Sequence, residues 1–131
     1  MNYNEKVLNE FFNPQNVGVI RGASGKGKIV SPVDREIMKI YVQVENNKII
    51  DAKFQTFGCP AAIACTSVAT RLIIGKSLSE AEQITEKQIL AELDSLPENK
   101  SHCVKMAVDT VVDAVDAARN KRRSSIDDDE D

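Results

Sequence analysis

The chain has no tryptophan, two tyrosines and a single histidine among 131 residues, and aromatics make up 5% of it. That scarcity argues against a surface on which successive nucleic-acid bases stack. The formal net charge of −3 argues against general nucleic-acid affinity as well. No apolar run approaches the roughly 18 residues of a membrane-spanning helix, so no membrane partner is expected. The opening MNYNEKVLNEFF is charged and amphipathic and lacks the apolar centre of a secretion signal, so a cytoplasmic location is expected. Three cysteines are an odd number, and a reducing compartment disfavours a disulfide framework. The thiols are then metal ligands, reactive groups or core filler. Nothing supplies the base–orienter pair of a cysteine hydrolase, and an enzyme is not expected.

What is present is ordinary globular material, 42% hydrophobic and 28% charged, enough for one domain with a real core. Asn4 to Phe12 reads as a short helix with Asn4 as N-cap and Val7, Leu8, Phe11 and Phe12 at helical spacing; Asn13-Pro14 stops it. The basic, glycine-rich stretch from Gly18 to Lys28 lacks the Lys-Ser/Thr of a phosphate-binding loop and reads as a mobile loop. Lys28 to Ser31 is a short strand. Glu36 to Glu45 alternates, with Met38, Ile40, Val42 and Val44 on one face. Asn46-Asn47 makes a tight hairpin turn, and Lys48 to Phe57 returns with Ile50, Ala52, Phe54 and Thr56 on one face. A small-residue helix from Ala61 to Ile74 ends at Gly75. Capping boxes at Ser79–Glu82 and Thr85–Gln88 start two short helices. A last amphipathic helix runs from Ser101 to about Lys121, with Val104, Ala107, Val108, Val111, Val112, Val115 and Ala118 as its stripe. The expected fold is α+β: a three-stranded antiparallel sheet with helices packed on one face, a flexible N-terminal region, and a disordered C-terminal tail over 122–131. The domain is expected to span 1–121.

Chemistry concentrates at Gly58-Cys59-Pro60 and Ser101-His102-Cys103, each at the start of an expected helix. A helix N-terminus presents unpaired N–H groups and a partial positive charge, and both favour a thiolate. Two cysteines and the lone histidine are three ligands, one short of a tetrahedral site. Spacing alone leaves a second account open, in which the two cysteines sit in helix-end turns and the histidine is solvated.

The segments NYNEKVLNEFFNPQNVG, MKIYVQVENNKIIDAKFQTFGCPAAIA, GKSLSEA and LPENKSHC together resemble the U-type iron–sulfur scaffold proteins, the IscU and NifU N-terminal domain family. The resemblance is colinear from Asn2 to about Lys121. It implies a scaffold that takes sulfur from a cysteine desulfurase and Fe2+ from a donor, assembles a [2Fe–2S] cluster transiently, and passes it to recipient apo-proteins. It implies Zn2+ on the same ligands in the cluster-free protein. Frataxin-like and Hsp70-type partners and a homodimer belong to the same implication. Carried over by position, Cys59 matches the second family cysteine. Cys103 matches the third, the persulfide acceptor, and His102 the histidine before it. Tyr3 matches a tyrosine linked to self-association.

The chain departs from that pattern between the first two strands. Aligning SPVDREIMK on Pro32 and on Met38-Lys39 puts Asp34 where the family has its first cysteine, Arg35 at a glycine, and Glu36 at an aspartate. A carboxylate still ligates iron or zinc, so the ligand set becomes Asp34, Cys59, His102 and Cys103, and an oxygen ligand makes for a more labile cluster. Arg35 and Glu36 read as an exposed charge pair. The loss of one thiol also admits an alternative in which Cys103 relays persulfide, or the chain modulates the desulfurase with zinc bound, without a stable cluster. Cys65 does not replace the missing thiol: six residues carry it about 600° round and about 9 Å along the helix from Cys59, and it reads as packing. Leu96-Pro97-Glu98-Asn99-Lys100 keeps three residues of the family's chaperone-recognition motif, and reads equally as a connector with Lys100 solvated.

Overall fold

The computed structural model describes residues 3–32 and 34–127, with side chains to residue 121. Three strands form one antiparallel sheet in the order β1 (Gly25–Val30), β2 (Ile37–Glu45), β3 (Lys48–Phe57). Asn46 and Asn47 both take left-handed φ, 52° and 63°, which suits the twist of the β2–β3 hairpin. Beyond that turn the pairing steps from Val44–Ile49 to Gln43–Asp51, so Ile50 is an extra, bulged residue. The bulge reverses the phase of the strand. Ile49 is therefore buried and Ile50 half exposed, the opposite of the regular alternation expected from the sequence. From Ala52 onward the expected phase holds, and Met38, Ile40, Val42, Ala52 and Phe54 form the inner face.

The helices cover that face. α2 (Pro60–Ile73) crosses β3, and the last helix (His102–Asp127) runs under β1 and β2. Pro60 occupies the first turn of α2, where its missing N–H costs nothing. Buried Ala61, Ala62, Ala64 and Ala69 let α2 lie close to its neighbours. α1 (Glu5–Phe12) packs on α2, and its expected cap is present: the Asn4 side chain accepts from the Val7 N–H. Arg71 and Ser67 of α2 bind the two oxygens of Glu10 at 2.7 and 2.6 Å, which ties α1 down.

The stretch read as a loop to Lys28 is a strand from Gly25 onward, and the reason lies in the last helix. A Cβ at Gly27 would sit 2.3 Å from the Thr110 carbonyl oxygen and 2.6 Å from the Ala114 nitrogen; one at Gly25 would sit 2.3 Å from the Ala114 oxygen. The glycines are the inward positions of β1, and their missing side chains allow helix backbone to touch strand backbone. A strand whose core face is hydrogen atoms carries no hydrophobic periodicity to be read.

Two shorter helices follow α2: α3 (Leu78–Ala81) and α4 (Glu86–Leu93). Thr85 and Gln88 form the expected capping box of α4. The box of α3 uses Ser77 and Glu80 in place of Ser79 and Glu82. Glu82 is instead engaged by Arg119 at 2.6 Å, so it is not free to cap. A 3-10 turn over Glu98–Lys100 leads into the last helix, α5. The tail expected over 122–131 lies outside the residues whose side chains are described; the helical backbone continues to Asp127. Among the described residues no helix is long and apolar enough to cross a membrane.

Candidate metal centre

Four pieces of chain meet at one end of the sheet: the β1–β2 loop, the β3–α2 junction, the start of α5, and Tyr3. The β1–β2 loop is a tight turn closed by the Ser31 N–H donating to the Glu36 carbonyl at 2.8 Å. Arg35, at the position matched to a family glycine, takes φ 56°, a left-handed conformation that glycine adopts freely and other residues adopt at a cost of about 1–2 kcal/mol. This turn sends Asp34 and Glu36 to the same side.

Glu36 is the residue that sequence reasoning misplaced. It is not half of an exposed charge pair: it is 4% exposed, and its carboxylate lies in the middle of the site. Oε2 accepts the Cys59 N–H at 3.0 Å, while Oε1 is 3.4 Å from His102 Nε2 and 3.7 Å from Cys103 Sγ. Arg35 is exposed, as expected. A signal was available. Two side chains separated by one residue in a tight turn share a side, and Gly58 follows β3 opposite Glu36. A Cβ on Gly58 would come within 2.8 Å of Glu36 Cγ, so the missing side chain is what makes room for the carboxylate.

Cys59 is the N-cap residue of α2, in extended conformation, and is half-buried. His102 begins α5 and Cys103 follows it, 0% exposed. His102 Nε2 stands 3.2 Å from Asp34 Oδ2 and 3.8 Å from Cys103 Sγ. The donor atoms of Glu36, Cys59 and Cys103 lie within 4.8 Å of one another, and so do those of Asp34, Glu36 and His102. The four expected ligands are thus brought together, with Glu36 shared between the two sets. Cys65 is buried in the core, as expected, and belongs to neither donor group; burial raises its pKa, and Cys59 and Glu36 raise it further.

The two thiols are not alike. The neighbouring Cys103, with the Ala62 amide at the helix N-terminus, favours ionised Cys59 and outweighs burial and the Glu36 carboxylate, bringing its pKa down to about 6. Cys59 and burial in turn push the Cys103 thiol up. Both lie at a helix start, as expected, yet only Cys59 is activated: two adjacent sulfurs do not both ionise without a cation between them. Burial opposes the Glu36 charge, but the Cys59 thiol and amide, His102 and Lys100 hold its carboxyl below the usual range. Tyr3 reaches the same place. Its hydroxyl is buried without a hydrogen-bond partner, and burial and Cys59 raise its pKa. Lys100 is lowered by burial but raised further by Cys59, Glu36, Asp34 and Tyr3.

Two thiols, one imidazole and two carboxylates, converging with their donor atoms mutually close, suit zinc or iron. The chain is similar to known proteins. A family model described as "NifU-like N terminal domain" matches residues 2–125. The "Iron-sulfur cluster assembly scaffold protein IscU 1" of Archaeoglobus fulgidus is 45% identical over 113 residues, covering 86% of this chain and 74% of that protein. The "Iron-sulfur cluster assembly scaffold protein IscU" of Buchnera aphidicola is 42% identical over 127 residues, covering 94% of this chain and 100% of its own. The crystal structure of a NifU-like protein (N-terminal) from Brucella abortus superposes with a TM-score of 0.70 at 17% identity, covering 90% of this chain and 94% of that one, which is likeness of fold.

Proposed function

This chain belongs to the NifU-like N terminal domain family, and on that premise we propose that it is an iron–sulfur cluster assembly scaffold whose cargo is held by Asp34, Glu36, Cys59, His102 and Cys103. The observation that carries the reading is their convergence: five donors from three separate pieces of chain stand within reach of one another at a single end of the domain. The cargo is a transient [2Fe–2S] cluster built from Fe2+ and from persulfide sulfur that a cysteine desulfurase delivers and an external thiol or one-electron donor protein reduces to sulfide. Zn2+ occupies the same donors in the cluster-free protein. The chain acts as a carrier in the cytoplasm, without turnover of its own, and hands the cluster to recipient apo-proteins. A frataxin-like protein, an Hsp70-type chaperone and a second copy of the chain complete the proposed partner set.

Each residue has a part. Cys59 offers the ready thiolate, half-buried at the site's edge. Cys103 is the proposed persulfide acceptor; being 0% exposed, it receives sulfur only in a complex that opens the Cys59 side. Asp34 closes the site with an oxygen donor, its side chain 34% exposed. Oxygen binds iron less tightly than thiolate in a soft set, and a partly exposed donor can be displaced by an incoming ligand. A scaffold benefits from both properties. A sulfur relay needs one activated thiol and does not need five converging donors.

The test is anaerobic reconstitution with a cysteine desulfurase, ferrous iron, cysteine and an excess of a dithiol reductant, read by visible absorption and by iron and acid-labile sulfide content, with the persulfide mass also taken before the dithiol is added. The expected result is equal iron and sulfide with cluster absorption, lost in Cys59→Ala and Glu36→Ala. A persulfide mass shift on Cys103 with no acid-labile sulfide would sink the scaffold reading in favour of relay.

A further inference from the structure

Lys100, which the sequence offers as part of a chaperone-recognition motif or as a solvated connector residue, is not solvated in the structure. Its ammonium lies 3.8 Å from Asp34 Oδ2, and its side chain is only 15% exposed. The 3-10 turn over Glu98–Lys100, two residues before His102, aims it at the donors. A lysine withdrawn this far from water needs opposite charge beside it. Asp34 and Glu36, with Cys59 beside them, supply that charge. Among the described residues Lys100 is the only lysine or arginine paired with any of them.

A dication at these donors would compete with Lys100 for the same carboxylate. A metal bound through Asp34 Oδ2, the oxygen nearest Lys100, would draw charge from the ammonium, and like charges a few ångströms apart in a partly dry site repel strongly. We propose that Lys100 is a displaceable counter-ion of the centre: it holds Asp34 in the metal-free state, is pushed off that carboxylate when a metal binds, and thereby weakens retention of the metal. This rests on the reading of these residues as a metal-holding scaffold centre. It gives the scaffold a built-in release term, paired with the donor at which the chain departs from its family.

The experiment is Zn2+ competition against a chromophoric chelator, on the full chain, for Lys100→Met and Lys100→Arg. Each is made in the native background and in the Asp34→Asn background. Lys100→Met keeps the apolar stem and removes the charge, and zinc affinity is expected to rise about tenfold; Lys100→Arg keeps the charge and should stay within about twofold. In the Asp34→Asn background the Lys100→Met gain should fall to about threefold or less, because the shared carboxylate is gone. A merely structural role for Lys100 would weaken binding on its removal, not strengthen it. Lys100→Gln serves as the second neutral variant, and a thermal melt checks that each variant is folded. Unchanged or weaker zinc binding in the neutral variants, or a gain of the same size in both backgrounds, overturns the proposal while leaving the metal centre standing. Failure of the unsubstituted chain to bind zinc overturns both.

Discussion

Gly58→Ala tests the centre through a residue that ligates nothing. The added Cβ would stand 2.8 Å from Glu36 Cγ, 3.0 Å from Oε2 and 3.1 Å from Cβ. Carbon atoms in contact prefer about 3.5–4.0 Å, so Glu36 must retreat by roughly 0.7 Å or more. Its carboxylate is held by the Cys59 amide at 3.0 Å and stands 3.4 Å from His102. A retreat of that size takes the amide contact to about 3.7 Å, past the range of a hydrogen bond. Gly58 does not have a left-handed φ, so the backbone accepts alanine and the strain falls on the carboxylate. Overpacking and one lost hydrogen bond cost about 1–3 kcal/mol, which a domain of this size survives. Loss of a ligand's orientation costs about 10- to 100-fold in metal affinity. The assay is zinc content after dialysis and zinc competition with a chelator, beside a melt followed by circular dichroism. A folded Gly58→Ala protein that keeps zinc within about twofold of the unsubstituted chain would refute the claim that Glu36 is a positioned ligand.

Two further outcomes follow from the same geometry. In the metal-free protein, iodoacetamide should label Cys59 first, and mass spectrometry of the peptides should find Cys65 and Cys103 unmodified at short times. Cys59 is deprotonated above its pKa of about 6, so its labelling rate should fall as pH drops through that value, whereas an ordinary thiol with a pKa of about 8.5 would already have lost its rate; first labelling at Cys103, or an inflection near that ordinary value, contradicts the assigned asymmetry. Gly27→Ala drives a Cβ to 2.3 Å from a helix carbonyl that has no rotamer by which to yield, so α5 must leave the sheet, at a cost of about 3 kcal/mol or more; a thermal midpoint within about 3 °C of the unsubstituted chain shows that the contact is looser than described.

The sequence alone determined the parts of this protein that depend on local rules. Asn4 and Thr85 cap helices because a side-chain oxygen reaches its own N–H groups a few residues on. Asn46-Asn47 turns the chain because asparagine tolerates left-handed φ. The alternation from Met38 to Val42 points one face inward, and the position of Cys59 before Pro60 marks a thiol at a helix start. These are statements about neighbours in the chain, and composition and spacing carry them. Residues joined only by folding are legible through resemblance: matched position singles out Cys59, His102, Cys103 and Asp34 as candidate ligands, and the structure brings them together.

What tertiary structure decided are the contacts between distant segments, for which the chain holds at most a partial local sign. Glu36 looks like any loop carboxylate until Gly58 opens a space for it and the Cys59 amide claims its oxygen. Lys100 looks solvated until a 3-10 turn lays it against Asp34. Gly25 and Gly27 look like a flexible loop until the backbone of α5 fills the room their side chains would have taken. Cys59 and Cys103 look equivalent at two helix starts until they stand side by side, where one negative charge suppresses the other. Electrostatic coupling and close packing depend on distance through space, and only the folded chain sets that distance.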